Sequence, residues 1–311
     1  VQVPTHDFVE VGMQTKTSAF DSCSGHESFE IDSKLFYFSN AVQVPTHDFV
    51  EVGMQTKTSA FDSCSGHESF EVDSKLFLFL NMSKKKLVVL SGAGVSAESG
   101  LKTFRDSDGL WEGYNIEDVA TPRAWKKNPQ LVLDFYNYRR KNVKGVLPNA
   151  AHYALAELQQ DFDVQIITQN IDDLHERAGS VKVMHLHGEI FKMRSENDPS
   201  LIYDIQNDIQ LGDLAADGAQ LRPHIVWFEE PVPMIEEAVP LVHEADLFVV
   251  IGTSLVVYPA AGLVTVARTS IPKFIVDKKI PHTSSVYNIT TIEKPATEGV
   301  EELKVLLKQY V

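Results

Sequence analysis

Cysteine is nearly absent from this chain: two in 311 residues, Cys23 and Cys64. They occupy the same place in two copies of a repeated segment, so they make no disulfide framework. Long apolar runs are missing as well. No stretch reaches the roughly 18 residues that a membrane-spanning helix needs, and no basic–apolar–small N-terminal pattern marks a signal peptide. Positive charge is scarce: 28 Lys and Arg against 43 Asp and Glu leave a net charge of −15. Basic residues gather only in short groups such as Lys84–Lys86. Nucleic-acid binding wants a basic field, so neither a nucleic acid nor a membrane is an expected partner, and a cytoplasmic protein is expected. At 43% hydrophobic residues, the chain can bury one good core and a small second one.

What the chain does have, first, is a tandem duplication. The segment "VQVPTHDFVEVGMQTKTSAFDSCSGHESFE" begins at Val1 and again at Val42. The copies differ only at Ile31/Val72, Tyr37/Leu78, Ser39/Leu80 and Ala41/Met82. Solenoids need about three or more units to bury a shared core, and two copies this alike carry no mark of separate packing demands. Each holds two Lys and six Asp or Glu, so together they supply −8 of the −15. Residues 1–81 are therefore expected to be a non-catalytic extension. Residues 82–311, opening at "MSKKKLVVLSGAG", are expected to be the catalytic domain, with Met82 reading as a natural start.

From Met82 onward apolar runs alternate with helical patterns. Strands are expected at 86–91, 164–168, 183–187, 224–228, 247–252 and 273–277. Helices are expected near 129–142, 149–160, 234–244, 259–268 and 298–309. Continuous apolar strands separated by helices predict an α/β fold with a parallel, doubly wound sheet. Ligands of such sheets sit at the carboxyl ends of the strands, and the polar motifs fall there.

"LSGAGVSAESG" (90–100) ends a strand, turns on Gly92 and Gly94, and opens a helix near Ser96 whose free N–H groups can meet a pyrophosphate. It is no Walker loop, because no Gly-Lys-Ser/Thr follows. "TQNIDDLHERAG" (168–179) sets Gln169, Asn170 and Asp172 at a strand end. They can bond ribose hydroxyls and hold a water, or Asn170 and Asp172 can cap a helix over 171–178. In "MHLHGE" (184–189) alternation puts His185 and His187 on one face. His187, before Gly188, suits general-base work; a His185–His187 metal pair lacks an evident third ligand. "IGTSLVVYPAAG" (251–262) repeats the strand–turn–helix pattern. "RPHIVWFEE" (222–230) is either an ordinary buried strand or an edge on which an extended peptide pairs through Val226, Trp227 and Phe228.

Taken in order, "GAGVSAESGLKTFR", "TQNIDDLH", "HLHGE", "RPHIVWF" and "GTSLVVYPAAG" resemble the sirtuin family of NAD-dependent protein deacylases. The likeness covers nearly all of 82–311 and closes on "KPATEGVEELKVLL". The resemblance implies a Rossmann-like domain binding NAD and a small module made by two insertions, near 110–146 and 190–222. Acyl-lysine peptide and NAD would enter the cleft between them. Gly92, Ala93 and Gly94 would lie along the pyrophosphate, with Thr103, Phe104 and Arg105 over the nicotinamide. Gln169, Asn170 and Asp172 would meet the nicotinamide and its ribose. Gly252, Thr253 and Ser254 would hold the phosphate or adenosine half, and Ala296 the adenine. His187 matches the family's general base, acting with Asn170; the products would be free lysine, nicotinamide and O-acyl-ADP-ribose. An ADP-ribosyltransferase or NAD hydrolase on the same fold would use the same NAD residues.

Within "FYNYRRKN" (135–142), Tyr136 and Arg139 match the Tyr-x-x-Arg pair of class III sirtuins, which binds the distal carboxylate of succinyl- or malonyl-lysine. Ala97 matches the small residue that gives a bulkier acyl chain room, while Tyr138 and Arg140 are expected to serve packing and solubility. Three departures stand out. The second insertion holds no cysteine, so the family's four zinc thiolates are missing and no zinc is expected. Glu229 stands where the family usually has Gly. "VDKKIP" (276–281) lacks the Asn that usually meets the adenosine ribose.

Overall fold

The computed structural model describes residues 84–102, 110–111, 113–281 and 286–311, together with two short strands upstream. The chain divides into two units, Val1–Ser83 and Lys84–Val311. In the first, β1 (Val52–Gly53) pairs antiparallel with β2 (Phe77–Leu78). The rest of the duplication lies outside the described residues.

In the second unit the apolar runs become one six-stranded parallel sheet. Its strands are β3 (Lys86–Ser91), β6 (Asp163–Thr168), β7 (Val183–His185), β11 (Leu247–Ile251), β12 (Lys273–Asp277) and β13 (Ile289–Glu293). Their spatial order is β13-β12-β11-β3-β6-β7. Alternate side chains go to opposite faces, and both faces are covered. Leu87, Val89, Ile166 and Val249 pack against Leu155 of α5 (Ala150–Glu157) and Val300 and Leu303 of α9 (Ala296–Leu307). Val88, Leu90, Ile167, Phe248 and Ile275 pack against Val242 of α7 (Ile235–Glu244) and Leu263 of α8 (Leu263–Val266). Burial on both faces is why these strands read as unbroken apolar runs. Each such side chain contributes about 1.5–3 kcal/mol.

A third core lies apart from the parallel sheet. Its helices are α2 (Ile116–Val119), α3 (Pro122–Lys127) and α4 (Pro129–Gly145), preceded by the hairpin of β4 (Leu110–Trp111) and β5 (Tyr114–Asn115). Its sheet is antiparallel, β10-β8-β9, from β8 (Gly188–Ser195), β9 (Ile202–Asp204) and β10 (Leu221–Ile225). Val132, Phe135 and Tyr136 of α4 meet Ile190, Leu221 and Ile225 there. Two short helices, α1 (Ala93–Ala97) and α6 (Leu174–Arg177), follow β3 and β6 at the site. Among the described residues no helix is long and apolar enough to cross a membrane.

Three expectations change. The strand placed at 224–228 runs instead from Leu221 to Ile225, because the Trp227 N–H is taken by the Glu230 side chain and cannot extend a ladder. The strand expected at 183–187 stops at His185; Gly188, at φ +81°, swings the chain into the antiparallel sheet, and a Cβ there would stand 2.0 Å from the His224 carbonyl oxygen. β13 was not anticipated, since "ITTIE" is an edge strand with one buried side chain.

Candidate active site

The carboxyl ends of β3, β6 and β11 converge on a cavity of about 580 Å³ that continues to α4 and the end of β10. Its floor is backbone. Gly94 N–H donates to the Gly252 carbonyl at 2.8 Å, and Gly92 N–H to the Ile251 carbonyl at 3.1 Å. A Cβ on Gly94 would lie 2.7 Å from the Gly252 oxygen. Gly252 itself has φ +63°, and a Cβ on it would meet the Val95 nitrogen at 2.5 Å. Two turns can touch this closely only without side chains. α1 begins at Ala93 rather than near Ser96, because Gly92 is its extended N-cap (φ −133°, ψ −175°).

Asn170 is fixed just after β6. Its amide Nδ2 donates to the Gly92 carbonyl at 3.1 Å and to Ser96 Oγ at 3.0 Å, while its own N–H donates to Thr168 Oγ1. Gln169 Nε2 donates to Thr253 Oγ1 at 3.1 Å, tying the second motif to the fourth. Asp172 is buried, and burial raises its carboxyl above the ordinary carboxylate range against the opposing Ser96 hydroxyl. It also receives the Leu174 N–H, but the helix expected over 171–178 is the shorter α6 with Asp173 at its N-cap and no side-chain cap, so Asn170 and Asp172 line the cavity rather than cap a helix.

The two histidines part company. His187 lines the main cavity, and its Nδ1–H donates to the Gln169 carbonyl at 2.9 Å, which in the neutral ring leaves Nε2 unprotonated. Burial holds its pKa below the usual histidine value, despite that hydrogen bond. His185 lines a separate cavity with Glu176 and Glu189. There Nδ1 donates to the Asn170 carbonyl at 2.9 Å and Nε2 lies 2.8 Å from Glu176 Oε1. Burial opposes charge on His185, but the Glu176 carboxylate outweighs it and raises its pKa. The shared face expected from alternation is lost because the strand ends between them. Among the described residues no three His, Cys, Asp or Glu side chains come together as a metal site.

At the other end of the cavity stand Tyr136 and Arg139 of α4, a helix started by Pro129 and capped by Asn128, whose Oδ1 receives the Leu131 N–H. Both are buried, and desolvation raises the Tyr136 phenol far above its ordinary pKa. Ala97 lines the same cavity. Tyr138 is exposed, while Arg140 serves packing and not solubility. It is buried, donating from Nε to the Ile190 carbonyl at 2.8 Å and from Nη1 to Asn137 Oδ1 at 2.8 Å, and so stitches α4 to β8. Val226, Trp227 and Phe228 border the cavity, and the Val226 N–H donates to the His187 carbonyl at 2.9 Å. Glu229 has φ +74°, the region that favours glycine, and its carboxylate is held by Arg123.

The cavity therefore gathers Ala93, Gly94, Gln169, Asn170, Asp172 and His187. It also takes in Gly252, Thr253, Ser254 and Ala296, with Gly92 immediately beneath. Thr103, Phe104 and Arg105 lie outside the described residues. Sequence reasoning passed over Glu98, which lines the cavity and receives the Ala296 and Thr297 N–H groups at the start of α9. It also passed over Arg222 and Glu230, whose only signal is an opposite-charge pair flanking "PHIVWFE". The residues fit a dinucleotide: the glycine turns face the cavity with main chain instead of side chains, and the Ser254 hydroxyl is buried with no protein hydrogen-bond partner.

The pattern of the Sir2 family matches residues 92–259. An NAD-dependent protein deacylase of Helicobacter pylori is 56% identical over 219 residues, 70% of this chain and 96% of the relative. One of Bacteroides thetaiotaomicron is 52% identical over 229 residues, 72% of this chain and 98% of the relative. Among solved structures, a Sir2 homolog–NAD complex superposes with a TM-score of 0.65 at 36% identity, covering 73% of this chain and 91% of that one. A Sir2 protein with a deacetylated peptide and 3′-O-acetyl-ADP-ribose gives 0.59 at 30% identity, covering 74% and 95%.

Proposed function

That this chain belongs to the Sir2, or sirtuin, family is the premise from which we propose its reaction. The protein is an NAD-dependent protein deacylase, acting on acyl-lysine in proteins or peptides with NAD as co-substrate. Its preferred acyl groups end in a carboxylate, as succinyl and malonyl do, and deacetylation is retained. The observation that carries the preference is that one cavity runs from the glycine turns past His187 to Tyr136 and Arg139.

NAD brings a positively charged nicotinamide leaving group, and this supplies the drive for breaking the glycosidic bond. The chain's residues then position and shield. Gly92, Ala93 and Gly94 cradle the diphosphate, and Gly252, Thr253, Ser254 and Ala296 the adenosine half. Gln169, Asn170 and Asp172 orient the nicotinamide ribose. His187 takes the proton of a ribose hydroxyl at Nε2, which its Nδ1–H bond to the Gln169 carbonyl keeps available as a base. The acyl group passes from lysine to the ribose in place of nicotinamide, water supplies the remaining oxygen, and the products are free lysine, nicotinamide and O-acyl-ADP-ribose. The peptide lies along Val226, Trp227 and Phe228, and its acyl chain reaches Arg139, whose guanidinium forks onto the distal carboxylate beside the Tyr136 hydroxyl. Residues 1–81 are an extension outside this chemistry. The reading also takes the protein as cytoplasmic, zinc-free, and without nucleic-acid or membrane partners.

Mass spectrometry of acetyl-, malonyl- and succinyl-lysine peptides, with and without NAD, tests it. NAD-dependent loss of the acyl group, fastest for succinyl or malonyl, is expected. Nicotinamide release at the same rate without any acyl-lysine would instead mark an NAD hydrolase.

A further inference from the structure

We infer that Arg222 and Glu230 are positioning residues of the acyl channel, an ion pair that fixes Trp227 as the channel's wall. The inference rests on the deacylase reading, but not on the preference for acidic acyl groups.

The pair grips one residue in two places. Arg222 is forked onto Glu230, Nη1 to Oε1 at 2.8 Å and Nη2 to Oε2 at 3.1 Å. The same carboxylate receives the Trp227 N–H at 2.8 Å, while the Arg222 guanidinium carbon lies 3.2 Å from the centre of the Trp227 ring. Backbone amide and ring face of Trp227 are thus held by opposite ends of one ion pair. Arg222 Nη2 also donates to the Ile225 carbonyl at 2.9 Å, fixing the point where β10 ends. Arg194 adds a contact to Glu230 at 3.6 Å.

The arrangement costs more than bulk packing would. Arg222 is 7% exposed at its side chain and Glu230 18%, so both charges are largely stripped of water. Such a pair gives little net stability over an apolar replacement, whereas losing one partner is expensive. Its return is geometric. Trp227, 2% exposed, borders the cavity with its ring centre 6.5 Å from that of Tyr136 and 5.7 Å from that of Trp125. A shift of the indole would therefore move the wall against which an acyl chain and the Tyr136 ring both lie. The described hydrogen bonds and ion pairs of Arg222 and Glu230 go to Arg194 and the 222–230 segment, and none reaches the glycine turns of the cofactor side. Disturbing the pair should be felt by acyl-lysine and not by NAD.

The test is initial-rate kinetics of full-length Glu230→Gln with an acetyl-lysine peptide, varying peptide and NAD separately. Peptide KM is expected to rise about tenfold, with kcat and the KM for NAD within about twofold of wild type. Glu230→Asp, which keeps the charge, should recover part of the loss. An unchanged peptide KM, or equal rises in both KM values, would overturn the inference. Arg222→Lys keeps the positive charge but loses the fork and the flat stack on Trp227; if the Gln variant does not fold, the same split is expected from Lys and the same two outcomes sink it. The acetyl group has no carboxylate, so the result is independent of Arg139. Failure of the acidic-acyl reading would appear in the wild type as a preference for acetyl-lysine, with this split intact.

Discussion

The two ends of the cavity are built by opposite means. Around Gly92, Gly94 and Gly252 the walls are main chain against main chain, and what matters is the absence of side chains. Around Tyr136, Arg139 and Trp227 the walls are buried polar and charged side chains, held by others such as Arg222 and Glu230. The first kind of wall accepts one ligand shape and tolerates no added atom. The second is set by the length and charge of a few side chains, so its preference can change while the fold stays. A deacylase needs both: an invariable co-substrate and an adjustable acyl group.

The sharpest way to break the comparison lies at the junction of the two ends. His187→Ala is expected to lower kcat by about 10²–10⁴-fold, the usual worth of a general base, with NAD still protecting the protein against heat. If turnover persists, the base is elsewhere. On the cofactor side, Gly252→Ala forces a Cβ into a residue at φ +63° and to 2.5 Å from the Val95 nitrogen. It should cost about 1–3 kcal/mol of stability from backbone strain and remove the thermal shift given by NAD. A variant with normal melting and NAD binding would mean that the two turns can part, contrary to the rigid-floor picture. On the acyl side, Arg139→Met should leave melting and NAD binding nearly as they are. The ratio of desuccinylation to deacetylation should fall about 10- to 150-fold, the range for losing charged hydrogen bonds of about 1.5–3 kcal/mol. An unchanged ratio would remove Arg139 from acyl selection.

The same contrast governs what the sequence disclosed. Backbone walls are local: a strand, Gly-x-Gly and a helix stand consecutively in the chain, so 90–100 and 251–262 were readable as strand-end turns. Tyr136 and Arg139 were readable too, because one helical turn puts them together. Their surroundings were not. Trp227 comes from a turn some 90 positions later, and its strand-like apolar run "IVWF" concealed that Glu230 captures its N–H. Arg140 was grouped with Tyr138 for packing and solubility, because periodicity cannot show that β8 would cover its side of α4 and leave Tyr138 exposed. The alternation argument for His185 and His187 assumed a strand that Gly188 terminates. Edge strand β13, with exposed threonines between its two isoleucines, gave no unbroken apolar run.

The smallest expected effect, a displacement of a pH profile, distinguishes those two histidines. His187 must be neutral to accept a proton, and burial lowers its pKa below 6.5. The acid limb of kcat/KM, which reports the free enzyme, should therefore fall with its midpoint below pH 6.5. His185 is shifted the other way by Glu176. A base at His185 would place the midpoint above pH 6.5, and Glu176→Gln would then move it down. Because His185 faces the other cavity, Glu176→Gln is expected to leave the midpoint where it was. Asp172, whose carboxyl is raised by burial, also titrates on the acid side. The profile of Asp172→Asn separates it: a limb that survives this substitution belongs to His187, and one that vanishes makes the buried carboxyl the group that gates the reaction.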